Sequence, residues 1–227
     1  MGSNPSGSEL YIKFSDSKSS MSSRNQVNSP SDAEVIIQKL PSDMGIHRNP
    51  RKGTLNAPEK ILEGLEFDMS VLVEEVFPDE FDLEETHDRI YENTFELAEF
   101  GRPVVSIGGD HSVSYPELKA LKRSNPEMKL VWLDAHLDIK ENVDGNVSHD
   151  VVVRQLVEEG LFEPEEIYFV GITEIDHDEK EFLENRDFNF YRPDELEEFK
   201  QEFEGRAFLS IDIDVLQEDV APGTGYP

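Results

Sequence analysis

The sequence predicts an α/β fold of three layers, in which helices cover both faces of a mostly parallel sheet. Short apolar runs alternate with segments of helical spacing along the 227-residue chain. Several of these runs lack a regular polar–apolar alternation, which is typical of strands buried on both faces. Segments that carry His and Asp directly follow such runs, and open α/β sheets bind their ligands beyond the carboxyl ends of the strands.

Five segments are predicted as the main strands, because β-branched and aromatic residues dominate each of them. They are residues 33–40, 102–109, 128–134, 165–172 and 207–215. Two further segments, residues 67–76 and 188–191, carry weaker strand patterns. The order of strands and helices from residue 33 onward is the order that a mostly parallel sheet requires.

Helices are predicted between the strands, with residues at their ends that favour helix starts and stops. The predicted helices cover residues 57–65, 83–100, 115–124, 149–159 and 193–205. Pro58 suits the first turn of the first helix, and Gly101 supplies a stop for the second. Ser148 is expected to cap the fourth helix, and Gly160 is expected to end it.

The composition limits the possible partners and environments. There are 50 Asp and Glu residues against 21 Lys and Arg, and a formal net charge of -29 repels nucleic acid and anionic membranes. Adaptation to high internal salt explains this excess, and attraction of cationic substrates is the alternative. No apolar run reaches membrane-spanning length and the N-terminal segment lacks a signal-peptide core, so a cytoplasmic location is expected.

The chain is predicted to divide into a leader and one domain. Residues 1–31 are rich in Ser, Asn, Gly and Pro and cannot bury enough apolar surface to fold, so they are expected to be flexible. Residues 32–227 are expected to form the α/β domain. Cysteine is absent from the sequence, so any metal must be bound by His, carboxylates and water.

Two polar motifs, GGDHS and DAHLD, follow successive predicted strands. GGDHS contains paired glycines that permit a tight turn and place His111 at a strand end, although a histidine in such a turn is more often structural. DAHLD follows the next strand. Its Asp134, His136 and Asp138 recur at every second position, so an extended backbone would point all three to one side. A solvated acidic loop is the alternative interpretation of DAHLD.

A third motif, SIDID, ends the last predicted strand and places Asp212 and Asp214 on one face. Carboxylates this close resist joint ionisation unless a cation lies between them. The three motifs together offer six candidate ligands: His111, Asp134, His136, Asp138, Asp212 and Asp214. That number suits two divalent cations about 3.5–4 Å apart. The excess of carboxylate favours two Mn²⁺, with Zn²⁺, Co²⁺ and Ni²⁺ as alternatives.

In their order along the chain, GGDHS, DAHLD and SIDID with the following VAPGTGYP resemble the ureohydrolase family of arginase, agmatinase and formimidoylglutamase. The resemblance extends from about residue 33 to residue 227. It implies an arginase-like three-layer fold and hydrolysis of a guanidino carbon with release of urea. It also implies that Asp134 and Asp212 bridge the two metals. The remaining ligands would divide into two pairs, His111 with Asp138 and His136 with Asp214.

The resemblance further implies roles in turnover. His149 resembles a histidine that relays protons or contacts substrate, and His149 and Asp138 are the catalytic candidates. Asp176 resembles an acidic residue that contacts substrate. The expected small-molecule guanidino substrate is agmatine, with arginine or formimidoylglutamate as alternatives. A metal-binding member of the fold with impaired catalysis is the competing class. By the same resemblance, a homo-oligomer is expected, as a trimer or hexamer.

Some features depart from the family pattern. Members usually continue beyond PGTGYP into a segment with a carboxylate that orients the guanidinium. The chain to Pro227 is therefore expected to bind metal, to show little or no ureohydrolase activity and to self-associate. Lys140 stands where arginase has an asparagine near the substrate, and it either favours an acidic substrate or faces solvent. His87 and His177 are expected on the surface, and Trp132 in the core.

Overall fold

The computed structural model describes residues 13–14, 25–46, 53–142, 145–173, 175–217 and 219–223. Within these residues the chain forms nine strands: β1 (Lys13–Phe14), β2 (Val35–Leu40), β3 (Leu65–Glu66), β4 (Val71–Glu75), β5 (Val104–Gly108), β6 (Lys129–Leu133), β7 (Ile167–Val170), β8 (Asn189–Tyr191) and β9 (Ala207–Ile211). The same residues form six α-helices: α1 (Ala57–Leu62), α2 (Leu83–Ala98), α3 (Ser114–Ser124), α4 (Val152–Glu158), α5 (His177–Leu183) and α6 (Leu196–Glu202).

The strands of the two larger sheets all run parallel. One sheet has the order β8-β7-β6-β9 and the other has the order β4-β2-β5, while β1 pairs antiparallel with β3. In the four-stranded sheet, Trp132 of β6 lies in register with Phe169 of β7 and Ser210 of β9. Parallel neighbours end at the same edge of a sheet, so the motifs that follow β6 and β9 come together there.

β6 lies at the centre of the main core and is buried on both faces, as its apolar sequence predicts. Leu130 and Trp132 on one face and Val131 on the other are shielded from solvent. Phe162 and Phe169 belong to the same cluster as Trp132. Burial of one large apolar side chain contributes about 1.5–3 kcal/mol. The strand that leads into DAHLD is therefore firmly held.

β9 differs from the prediction of a strand buried on both faces. It forms one edge of the four-stranded sheet in the described part of the chain. Leu209 and Ile211 are 56% and 61% exposed, whereas Ser210 between them is buried. Phe208 packs against the main core. One face of β9 is therefore covered, and the other is open to solvent.

Element ends also differ from the predictions, including the end of β9 and the start of α4. The strand predicted over residues 207–215 ends at Ile211, and a 3-10 helix follows at Ile213–Val215. α4 begins only at Val152, so Ser148 lies too far from its first turn to cap it. The Ser148 hydroxyl donates a hydrogen bond to the Asp150 carboxylate at 2.5 Å.

The prediction that His87 lies on the surface is wrong. His87 is 7% exposed and lies on the buried face of α2 together with Ile90, Thr94 and Leu97. Their spacing is that of one helix face, which the polar character of histidine obscured in the sequence. His177 is exposed, as predicted, but it begins α5, a helix that the acidic segment did not predict. α6 ends at Glu202, before the predicted end.

The predicted leader falls largely outside the described residues. Its described parts are residues 13–14, which pair with β3, and residues 25–31, in which Gln26 forms a bridge with Val71. Across the described ranges, no helix is both long enough and apolar enough to span a membrane.

Candidate metal centre

His111 follows β5 through the paired glycines and opens a short 3-10 helix, His111–Val113. Gly109 permits this turn because a Cβ there would lie 1.9 Å from the carbonyl oxygen of Ser42. The His111 ring stacks on Trp132, with centroids 4.0 Å apart. Its Nε2 lies 2.6 Å from the Ser210 hydroxyl. When the Nε2–H group of the neutral ring donates a hydrogen bond to this hydroxyl, Nδ1 carries a lone pair.

Three carboxylates surround His111 Nδ1. Its distances to their Oδ2 atoms are 3.1 Å for Asp134, 3.2 Å for Asp138 and 3.3 Å for Asp212. Nδ1 is buried and makes no hydrogen bond of acceptable geometry within the described residues. One ring nitrogen cannot satisfy three carboxylates with a single proton, so a shared cation explains the arrangement better.

A second cluster adjoins the first through Asp134. His136 Nδ1 lies 3.0 Å from Asp214 Oδ2 and 3.5 Å from Asp134 Oδ1. Backbone amides fix these carboxylates: His136 N–H donates to Asp134 Oδ1 at 2.7 Å, and Ala135 N–H donates to Asp214 Oδ1 at 3.2 Å. Asp134 therefore faces one histidine with each oxygen. The structure thus brings together all six predicted ligands.

The backbone reaches this arrangement differently from the extended segment that the spacing of DAHLD predicted. β6 ends at Leu133, and Asp138 has a φ of 51°, in the left-handed region. The Asp138 carbonyl accepts hydrogen bonds from the N–H groups of Val153 and Arg154, at 3.0 and 3.4 Å, at the start of α4. This helix start fixes a strained backbone that turns the Asp138 side chain towards His111.

The protonation properties of the centre show how much negative charge it holds. Burial and the charges of Asp134 and Asp212 raise the pKa of Asp138 to about 7, against the effect of His111. Burial alone would lower the pKa of His111, but the surrounding carboxylates outweigh it and raise that pKa well above its ordinary value. Hydrogen bonds to Asp134 and Asp214 raise the pKa of His136 to about 11. Bound cations would take over the neutralising role that these protons play.

The donor set fits divalent metal ions. One candidate group comprises His111, Asp134 and Asp212, and another comprises Asp134, His136 and Asp214, with ligand atoms within 4.8 Å of one another in each group. A site of imidazole nitrogen and several carboxylate oxygens suits Mn²⁺ and similar divalent ions such as Zn²⁺, Co²⁺ and Ni²⁺. The buried Nδ1 of His111 has no hydrogen-bond partner among the described residues, so its lone pair is available to coordinate a cation.

The predicted turnover residues lie in two different surroundings. His149 is half-buried, and its Nδ1 lies 3.1 Å from the Gly45 carbonyl oxygen. Asp176 precedes α5, and its Oδ2 lies 2.7 Å from Lys140 Nζ. Lys140 therefore has a charged partner rather than solvent alone. The Lys140 ammonium lowers the pKa of Asp176, and the nearby charge of His136 lowers it further.

Sequence reasoning missed one residue beside the centre, Asp110. Its carboxylate is buried and accepts hydrogen bonds from the backbone N–H groups of Gly45 and Ser112, both at 3.0 Å. Its place between the paired glycines and His111 was the available signal. The partner Gly45 lies 65 residues away in sequence, so local patterns could not reveal the contact.

Known proteins share both the sequence pattern and the fold. A family model described as the arginase family matches residues 33–227. The agmatinase of Bacillus anthracis is 33% identical over 213 residues, which are 86% of this chain and 72% of that protein. The N(1)-aminopropylagmatine ureohydrolase of Thermus thermophilus is 27% identical over 218 residues, again 86% of this chain and 72% of that protein.

Solved structures extend the likeness. The Trypanosoma cruzi formiminoglutamase, crystallised with Mn²⁺, matches with a TM-score of 0.79 at 22% identity, over 88% of this chain and 77% of that one. The Bacillus subtilis formimidoylglutamase matches with a TM-score of 0.77 at 20% identity, over 98% and 77%. These matches confirm the predicted three-layer α/β/α fold. The arginase-family model matches residues 33–227, which are most of the chain, so the chain belongs to the arginase family.

Proposed function

We propose that this chain is a binuclear metal-dependent hydrolase that adds water to the guanidino carbon of agmatine and releases urea and putrescine. One observation carries the proposal. Six side chains from the ends of three strands, two histidines and four aspartates, converge at one site: His111, Asp134, His136, Asp138, Asp212 and Asp214. Agmatinase relatives at about one-third identity support the choice of substrate.

The geometry supports Asp134 as the residue that bridges two metals, since Oδ2 faces His111 and Oδ1 faces His136. Asp212 is proposed as the second bridging ligand. One metal would be completed by His111 and Asp138, and the other by His136 and Asp214. The chemistry supplied by two bound divalent cations is Lewis acidity, which makes water a better nucleophile and stabilises developing negative charge.

The remaining residues are proposed to orient the substrate and move protons. His149 would donate a proton to the departing amine, because its half-buried ring lies on the loop between DAHLD and α4. Asp138 would serve as both ligand and catalytic carboxylate. Asp176 would meet the distal ammonium of agmatine.

Urea release by the Mn²⁺-loaded chain tests this proposal. Release from agmatine should exceed release from arginine, even if turnover is slow, and Asp134→Asn should abolish it. Asp88→Asn removes an exposed carboxylate of α2 and should leave release unchanged. If neither urea nor formamide forms from agmatine, arginine or formimidoylglutamate, the hydrolase proposal is overturned.

A second candidate substrate is an amino acid such as arginine or formimidoylglutamate. The ion pair between Lys140 and Asp176 favours it, because a zwitterionic end would find a partner for each of its charges there. The ammonium of agmatine would instead compete with Lys140 for Asp176. Lys140→Ala should therefore lower KM for agmatine, whereas it should raise KM roughly tenfold or more for a substrate whose carboxylate binds Lys140. The direction of the change identifies the substrate class.

A further inference from the structure

We propose that Asp110 is a positioning residue, which fixes the proton-exchanging atom of His149 through the backbone of Gly45. The effect on turnover rests on the proposed function, whereas the effect on the His149 ring does not. Asp110 is not among the predicted ligands, although it directly precedes His111. Its carboxylate is buried, so its contacts need a structural or functional reason.

The Asp110 carboxylate joins two segments that are distant in sequence. Oδ1 accepts a hydrogen bond from Ser112 N–H at 3.0 Å, within its own turn. Oδ2 accepts from Gly45 N–H at 3.0 Å and lies 3.5 Å from the Ser42 hydroxyl. The Asp110 N–H donates to the Ser42 carbonyl at 2.8 Å. The turn that carries His111 is thereby tied to the loop of residues 42–45.

Close packing leaves this loop little freedom. A Cβ on Gly45 would lie 2.3 Å from Asp110 Oδ1 and 2.3 Å from the Ser112 hydroxyl oxygen. Gly45 therefore approaches the turn in a way that a side chain would prevent. The hydrogen bond from its N–H to Asp110 and the tight contacts around its Cα therefore position the residue whose carbonyl faces His149.

The carbonyl of Gly45 in turn determines how His149 carries its proton. His149 N–H lies 3.3 Å from the Gly45 oxygen, and His149 Nδ1 lies 3.1 Å from the same atom. A carbonyl oxygen only accepts hydrogen bonds, so Nδ1 must carry a proton. In the neutral ring, Nε2 is then the atom that can take up a proton or release one. Asp110 thus acts on His149 without contact between their side chains.

The ring proton can be observed directly by NMR of the ¹⁵N-histidine-labelled chain loaded with Zn²⁺, at alkaline pH. The spectrum contains six histidines, and loss of a signal in His149→Asn assigns the ring of interest. The wild-type ring should be protonated at Nδ1. Asp110→Asn should shift it to a mixture of tautomers, while the metal content and the tautomer of His111 stay unchanged. Asp88→Asn is the matched control and should change nothing.

Gly45→Ala provides a second variant that keeps every charge and should shift the His149 tautomer in the same way. A wild-type ring protonated at Nε2 would overturn the proposal, and this outcome needs no variant to fold. Retention of Nδ1–H in both folded variants would overturn it as well. The NMR experiment measures no turnover, so its result stands even if the proposed hydrolase function fails.

Steady-state kinetics distinguish a positioning role of Asp110 from a merely structural one. Asp110→Asn should lower kcat for agmatine by about a hundredfold, as expected when a catalytic group is misplaced by about 1 Å, with little change in KM. In a His149→Asn background, the same substitution should have no further effect on kcat. Independent, multiplicative losses would show that Asp110 does not act through His149.

Discussion

The indole of Trp132 lies flat against the imidazole of His111, with planes 9° from parallel and centroids 4.0 Å apart. Trp132 is the only tryptophan of the sequence and is fully buried. The tryptophan fluorescence of the protein therefore comes from a ring beside the proposed metal centre.

Titration with Mn²⁺ should therefore quench this emission, because a paramagnetic ion would bind beside the excited ring. The quenching should saturate, and Asp134→Asn should remove it while Asp88→Asn retains it. Unchanged emission in a sample that contains bound Mn²⁺ by elemental analysis would show that the metal lies elsewhere.

The burial of His87 predicts a pH dependence of stability. Burial, helped by the nearby charge of Lys119, lowers the pKa of His87 to about 4, from about 6.5 in the unfolded chain. Between these two pKa values the unfolded state binds more protons than the folded state. The free energy of unfolding is therefore highest above about pH 6.5 and falls as the pH decreases towards 4.

When the pH falls from 7.5 to 5, protonation of His87 should lower the free energy of unfolding by about 2 kcal/mol. His87→Gln removes the titration, so its stability should fall less over the same interval, whatever its stability at pH 7.5. Denaturant unfolding at both pH values measures the difference. Parallel pH profiles for the two proteins would mean that His87 titrates alike in the folded and unfolded chain.

The motif residues could be predicted from sequence because their signals are local. The apolar run of β6 ends directly before Asp134, and Asp212 directly follows β9. The exposure of Leu209 could not be predicted, because it depends on which strands flank β9 in space. Ser148 does not cap α4 because a turn, in which Val151 N–H donates to the Ser148 carbonyl at 3.3 Å, precedes the helix start at Val152.

Salt should stabilise the protein if the acidic excess is an adaptation to high ionic strength. The net charge of -29 opposes the compact state, and added ions screen that repulsion. Tm should rise by several degrees from low to molar KCl. Replacement of exposed carboxylates, for example Glu181→Gln with Glu198→Gln, should reduce the slope. A flat Tm would favour the alternative, attraction of cationic substrates.

The open face and edge of β9 should cause self-association. Leu209 and Ile211 are exposed on an edge strand of the described sheet, and such surfaces invite contact between chains. Light scattering should show a mass that increases with protein concentration. Leu209→Lys should reduce this association. Phe81→Lys alters a more exposed apolar side chain outside the sheets and should not, so equal effects would argue against β9 as the contact.

The number of metal ions bound per chain tests the central claim most directly. After loading with Mn²⁺ and removal of free ions, elemental analysis of the purified chain should give close to two ions per chain. Asp134→Ala and Asp212→Ala should each disrupt both sites, because each residue is proposed to bridge the two metals, while Asp88→Asn should keep two ions. No bound metal in the loaded wild-type protein, or two ions retained in Asp134→Ala, would contradict a two-metal centre at these strand ends.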